Sequence, residues 1–409
     1  MARNYAKAVL PLSSRLTIVA GGLGFAVLAL GSGLDRAAAR RPDLVPYVPD
    51  LFRYEAWGAQ STAELERRNT PQAVLQLGAL GVGRAPIEGA SSAVLGMGYL
   101  RAGDSAGAER AFTVSGRMGW RVPLTQTYLM MRGLELEDYR VAAIRLDAIL
   151  RQQPRLASNA AVTEPFEQNP TAMDAMIDRM ALHPNWAASY LRDLSNLNLP
   201  QLTSRERVFA RLSERGLKPG CDGARPLVTE LVRRGDVARA RGVWRTYCPL
   251  AHGMLADTNL LAPIHDDAIL APFNWKLLSS GEMSIVERPA GQGIGQWLNV
   301  SNTGPLNVPV MRQMAVVPAG RYRISWLAQD ANGTSSRGIE VQQGCELSSL
   351  ERVGIPHDLG QGRWQAEVVI DANCVGHWFQ LVALPGRGGL TLGRVMLESA
   401  TGPVFSSNM

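Results

Sequence analysis

Residues Pro318–Gln329 read PAGRYRISWLAQ: a turn triplet, then a run that alternates in character. Tyr322, Ile324, Trp326 and Ala328 fall on one side of an extended chain. Arg321, Arg323, Ser325 and Gln329 fall on the other. That period of two is the mark of a half-buried strand. It holds outward from here over the C-terminal third. Strands are expected at Asn274–Leu278, Met283–Glu287, Gln296–Ser301, Val310–Val317, Tyr322–Gln329, Gly338–Gln343, Trp364–Ile370, His377–Leu384 and Leu390–Leu397. Asn332-Gly333 and Gly386-Arg387-Gly388-Gly389 supply turns between some of them. Short strands with frequent turns predict an antiparallel sandwich or jelly roll over residues 273–400.

Upstream the period is helical. Residues 98–120, GYLRAGDSAGAERAFTVSGRMGW, and 131–154, MRGLELEDYRVAAIRLDAILRQQP, repeat one another. Gly103-Asp104 and Glu137-Asp138 lie 34 residues apart, so Ala108 aligns with Ala142 and Phe112 with Leu146. A small residue after an acidic turn lets two helices approach, and the large residue four positions later shares its face. A further copy, LVTELVRRGDVARARGVWRTYCP at 227–249, carries Gly235-Asp236, Ala238 and Ala240. With Pro154 at a helix-pair end, these features resemble tetratricopeptide-type repeats. The resemblance covers about 150 residues, Thr70 to Cys248, within a helical region 46–249. It implies a solenoid that binds a partner protein or peptide. An irregular helical bundle without a groove is the competing reading. Residues 250–272 read as a linker. His265-Asp266-Asp267 within it has no second His/Asp cluster, so a solvated linker is preferred to a metal fragment.

The N-terminus decides placement. Leu16–Leu34, LTIVAGGLGFAVLALGSGL, is uncharged and mostly apolar, long enough to cross a hydrocarbon core of about 30 Å. Arg3, Lys7 and Arg15 precede it, and Asp35, Arg36, Arg40, Arg41 and Asp43 follow. The basic residues are nearly balanced across it, so they barely set orientation. A retained anchor with residues 1–15 in the cytoplasm is preferred. A signal peptide cut near Ala37-Ala38-Ala39 is the alternative. Either sends the rest of the chain out of the cytoplasm if the N-terminus stays inside. Four cysteines agree: Cys221 and Cys248, then Cys345 and Cys374, form two local pairs with no CxxC. Two disulfides in an oxidising compartment are expected, against four unrelated thiols in a cytosolic protein.

Composition excludes other classes. With 46% hydrophobic and 19% charged residues, the chain is not disordered. Its net charge is +6, but the lysines are only Lys7, Lys218 and Lys276 and the arginines are scattered, so no nucleic-acid stripe is present. The fold class expected is multidomain α + β: a transmembrane helix, an α-helical repeat solenoid and a C-terminal antiparallel β-sandwich.

Phe273-Asn274-Trp275, Gln296-Trp297-Leu298-Asn299-Val300 and Pro318–Tyr322 make this last part look like the jelly-roll carbohydrate-binding modules of bacterial secreted enzymes. Alternation places Leu298, Val300, Ile339, Val341, Phe379 and Leu381 inward. Trp297, Asn299, Ser301, Glu340, Gln342, Trp378 and Gln380 then point outward. Aromatic faces stack on sugar C–H faces, and amides or charges fix hydroxyls. Trp297, Trp378, Arg323, Glu340 and Gln342 are therefore the candidate glycan site, provided their strands share a sheet. The competing reading packs one or both tryptophans on the helical domain.

The sequence carries no HExxH or P-loop, Gly291-Gln292-Gly293 opens no helix, and the GxSxG match at Gly103–Gly107 lies between helical runs, not after a strand as a nucleophile elbow requires. Glu340 and Glu367 are the only carboxylates singled out as a glycosidase pair. The histidines, His183, His252, His265, His357 and His377, are dispersed. No cofactor, metal or catalytic residue is expected. The reading is a non-enzymatic accessory of polysaccharide assembly or export, single-pass in a bacterial inner membrane with its bulk periplasmic. The repeats would hold an envelope protein and the sandwich a glycan. A pure interaction scaffold, or a glycan-active enzyme with an unrecognised site, are the alternatives.

Overall fold

The computed structural model describes residues 12–67, 70–248, 253–260, 272–278, 281, 283–289 and 295–400. Arg3, Lys7, His252, His265-Asp266-Asp267 and Gly291–Gly293 lie outside them. The architecture is the expected one: thirteen helices among the described residues, then two antiparallel sheets. The chain divides into two compact units. One comprises residues 1–156 and 169–186; the other comprises 157–168 and 187–409.

In the first unit, α1 (Leu12–Arg40) runs from the apolar stretch without a break. From Leu16 to Leu30 its side chains are exposed, Phe25 and Leu30 to 74%. Its last turns behave differently. Ala38 is fully buried with Val45, Val48 and Ala56. Gly31 sits so close to the Phe52 ring that a Cβ there would fall 2.5 Å from it. The Asp35 carboxylate accepts the backbone N–H groups of Tyr54 (3.1 Å), Glu55 (3.1 Å) and Ala56 (2.9 Å). Those are orphan donors at the start of α2 (Glu55–Arg67), so Asp35 caps a helix twenty residues downstream.

The repeat seen in the sequence becomes helix hairpins. The first pairs α4 (Gly89–Arg101) with α5 (Ser105–Arg117), the second α6 (Pro123–Glu135) with α7 (Tyr139–Gln152). Each turn residue lies in the left-handed region, Gly103 at φ +80° and Glu137 at φ +57°. Asp104 caps α5 through Gly107 N–H at 2.8 Å, and Asp138 caps α7 through Val141 N–H at 3.1 Å. Ala108, Phe112, Ala142 and Leu146 are all buried at the hairpin contacts. A third hairpin, α12 (Gly220–Arg233) with α13 (Val237–Tyr247), belongs to the second unit. Gly235 turns it at φ +82°, and Ala240 and Trp244 take the buried positions.

A fully buried arginine ties the other helices of the second unit together. Arg205, on α11 (Leu199–Glu214), stacks 3.4 Å from the Tyr190 ring centroid and lies 3.5 Å from the Glu167 carboxylate. It also donates to Ala157 O (3.0 Å) and Thr163 Oγ1 (3.1 Å). Tyr190 OH donates to Glu167 at 3.0 Å, and burial drives its pKa well above the usual tyrosine value.

The sandwich packs a five-stranded sheet, in the order β1-β4-β10-β6-β7, on a six-stranded one, β2-β3-β11-β5-β9-β8. Strand bounds are β1 Lys276–Leu277, β2 Met283–Pro289, β3 Gln296–Asn302, β4 Val308–Ala315, β5 Gly320–Gln329, β6 Ile339–Gly344, β7 Glu351–Arg352, β8 His357–Asp358, β9 Arg363–Ile370, β10 His377–Ala383 and β11 Arg387–Ser399. All nine expected strands occur, and the two-residue β7 and β8 are additional. Each residue sorted inward, from Leu298 to Leu381, is in the common core. So are Leu255 and Leu260, from the segment read as a linker. Gln313 fastens that segment by donating to Ala256 O at 3.1 Å. Both expected disulfides form, Cys221–Cys248 on the third hairpin and Cys345–Cys374 beside the β6–β10 pair.

Candidate functional site

The five candidate glycan residues do not share a sheet. Trp378, Glu340 and Gln342 stand on the outer face of the five-stranded sheet, through β10 and β6. Trp297 and Arg323 stand on the outer face of the six-stranded sheet, through β3 and β5. Alternation reports which side of a strand faces the core, and both sheets have an outward side.

On the six-stranded sheet, Trp297 is half-buried over Gly393, where a Cβ would meet its ring at 3.3 Å. Arg323 stands in register between Glu367 on β9 and Glu398 on β11. Carboxylates thus flank it in register, but no ion pair to either forms among the described residues. Glu367 lies on this sheet and Glu340 on the other, so the strands do not gather the carboxylate pair considered for a glycosidase.

The five-stranded sheet is more organised. Register aligns Arg312 on β4 with Gln380 on β10, Gln380 with Gln342 on β6, and Gln342 with Arg352 on β7. Four polar side chains thus form one row across four strands, roughly 14 Å long at the usual strand spacing. Within it Gln380 Nε2 donates to Gln342 Oε1 at 3.2 Å, and Gln342 Nε2 donates to Glu340 Oε1 at 3.3 Å. The other Glu340 oxygen pairs with Arg352 Nε at 3.3 Å. The amides are therefore held in fixed orientations between Arg312 and Arg352, and Lys276 on β1 continues the row beyond Arg312. Gln380 is buried, Arg312 and Gln342 are half-buried, and the Arg352 side chain is 62% exposed.

Trp378 lies one row along, its ring centroid 5.9 Å from the Arg312 guanidinium. It packs against the cluster built by Val237, Ala240, Val243 and Trp244 of α13 with Met314 and Phe273. Gly376 permits this approach: a Cβ there would lie 2.6 Å from Met314 Sδ and 3.1 Å from Val237 Cγ1. Trp378 is therefore a half-buried side wall of the row, fixed by a helix.

Sequence reasoning missed Arg312 and Arg352 and left Gln380 out of the site. Arg312 follows a bulge, where Leu381 pairs with Met311 but Val382 pairs with Pro309. Arg352 sits on a strand too short to alternate. A pocket of about 360 Å³ adjoins the row at Arg352 and lies at the open edge between the sheets. His377 is buried beside the Cys345–Cys374 bridge, with Nδ1 3.3 Å from Cys374 Sγ and Nε2 3.1 Å from Gln343 Oε1. Burial holds its pKa below the usual histidine value.

The chain matches no protein-family model and no curated protein. Among solved structures, it is similar to the CBM22-1 xylan-binding domain of Paenibacillus barcinonensis Xyn10C, at TM-score 0.23 and 13% identity, covering 30% of this chain and 84% of that one. TmCBM61 in complex with β-1,4-galactotriose gives TM-score 0.22 and 16% identity over 35% and 92%. The CBM6cm-2 module of Cellvibrio mixtus lichenase 5A in complex with cellotriose gives 0.20 and 18% over 30% and 92%.

Proposed function

We propose that this chain is a membrane-anchored, non-catalytic glycan-binding protein of the bacterial envelope, acting in the assembly or export of a polysaccharide. The observation that carries the reading is the Arg312–Gln380–Gln342–Arg352 row. Its amides are oriented by one another and by Glu340, so hydroxyl partners meet donors and acceptors already in place. A run of such groups across several strands suits a polymer of hydroxyl-bearing units, and Trp378 supplies an aromatic face beside it.

α1 supports this placement. Its exposed apolar surface from Leu16 to Leu30 suits lipid, and the helix is long and apolar enough to cross a bilayer. Cleavage at Ala37–Ala39 would cut through the buried Ala38 turn and detach Asp35 from α2, so the anchor reading is favoured over a signal peptide. Two disulfides suit the periplasmic side. The helix hairpins would hold a partner protein of the same machinery.

The test is a glycan-array screen of the detergent-solubilised full-length chain beside Gln342→Ala/Gln380→Ala. Retention that the double variant loses, with its thermal transition intact, is the expected result. A folded wild-type chain that retains no glycan overturns the reading.

A further inference from the structure

The pocket at the end of the row is chemically unlike the row itself. Its floor is core: Ile339 from one sheet, Trp364 from the other, and Val353 from the segment crossing between them, each at most 4% exposed. Its rim carries Ile355, 81% exposed, and Pro356. Its charged groups are Arg337 and Arg352, and no carboxylate is among the residues that line it. Arg352 is paired with Glu340 at 3.3 Å. Arg337 has no carboxylate partner among the described residues and is poised 5.7 Å from the Trp364 ring centroid. A concave site of about 360 Å³ falls at the small end of the range for small-ligand pockets, which suits one ring rather than a chain.

We propose that this pocket is an acidic-sugar subsite: it takes a uronate unit of the glycan, with the carboxylate on Arg337 and Arg352 and an apolar ring face on Ile355 and Pro356. The inference rests on the glycan reading above and names its substrate class. A planar guanidinium matches a carboxylate in a bidentate fork. Because Glu340 already holds part of Arg352, the site offers close to one uncompensated positive charge. That suits a monoanionic carboxylate better than a dianionic phosphate ester. Arg352 belongs to both row and pocket, so a polymer lying across β10, β6 and β7 would reach the pocket with its next unit.

The experiment is affinity electrophoresis of the full-length chain in polygalacturonate, in the same polymer after carboxyl reduction, and in neutral glycans. Wild type is compared with Arg337→Ala and Arg337→Lys. Arg337 is exposed and stacks only on Trp364, so both variants should fold. The expected result is retention by polygalacturonate that falls at least tenfold in Arg337→Ala, recovers partly in Arg337→Lys, and falls equally on carboxyl reduction. Polygalacturonate retention unchanged in Arg337→Ala overturns the pocket assignment. So does retention by neutral glycans alone, which leaves the glycan-binding reading standing. Failure of every glycan overturns both.

Discussion

Replacing Asp35 by alanine tests whether the end of α1 is fastened to the helical unit. The carboxylate is buried and receives three backbone N–H groups of one helix start, at 2.9 to 3.1 Å. An ordinary N-cap truncated to alanine costs about 0.5–2 kcal/mol. A hydrogen bond to a charged group contributes roughly 1.5–3 kcal/mol, and three sharing one carboxylate are not additive. Truncation also leaves donors beside the buried Ala38 and Ala56 without an acceptor. A loss of about 2–4 kcal/mol follows from these bounds. For a unit of this size each kcal/mol moves the transition by roughly 2–4 °C, so the midpoint should fall by about 5–15 °C. Asp35→Asn keeps the Oδ1 acceptor that serves Tyr54 and Ala56 and should lose less than half as much. The assay is thermal unfolding of the solubilised full-length chain, with limited proteolysis reporting cleavage between residues 41 and 54. A midpoint for Asp35→Ala within 1 °C of wild type, with unchanged proteolysis, refutes the clasp. It also removes the argument that the helix must remain attached.

Other substitutions probe the remaining framework. Arg205→Met should lower stability by about 3–5 kcal/mol, read in a denaturant titration, because it leaves Glu167 buried without its cation; adding Glu167→Gln should recover part of the loss. Glycine-to-alanine changes should differ in sign. At Gly133 the new Cβ would lie 2.9 Å from Ala142 N, so Gly133→Ala should cost about 1–3 kcal/mol. Gly242 on α13 has nothing within 4 Å, so Gly242→Ala should gain about 0.5–1 kcal/mol. Acid should loosen the first unit through Asp147. Burial pushes its carboxyl toward the neutral form, but hydrogen bonds from Trp186, Arg179 and Arg151 outweigh that, and its pKa lies below the usual carboxylate value. Its contribution is complete above the unfolded value near 4 and is lost as pH falls through the folded one. Asp147→Asn should therefore flatten the acid limb of the unfolding curve, and an unchanged limb would assign acid sensitivity elsewhere.

The parts legible in the sequence are those where burial imposes a period. Tyr322, Ile324, Trp326 and Ala328 must all reach one core, so their strand announces itself. Ala108 and Phe112 recur as Ala142 and Leu146 because each hairpin repeats the same close approach after the same acidic cap. The site was less legible for three physical reasons. Alternation assigns a face but not a sheet, so Trp297 and Arg323 were grouped with residues on the opposite side of the sandwich. It also ignores what lies above a face, so the α13 side chains against Trp378 had no signal in that strand. And it fails where the strand is bulged or short, which hid Arg312 and Arg352.

The same facts favour the row on the five-stranded sheet, as the proposed binding surface, over the set read from strand alternation. A polar side chain free to rotate loses up to about 1.5–2 kcal/mol of entropy when a ligand fixes it. Gln342 and Gln380 already have that freedom restricted by Glu340, Arg352 and each other. Trp297 over Gly393 has apolar area but no oriented amide beside it in the register. Removing Glu340 should therefore weaken glycan retention without any contact to sugar, because it frees both Gln342 and Arg352. Glu340→Gln, which keeps an acceptor for Gln342, should weaken it less than Glu340→Ala. Equal retention in wild type and Glu340→Ala would mean that preorganisation of the row contributes nothing, and the argument for this face over the other would fail.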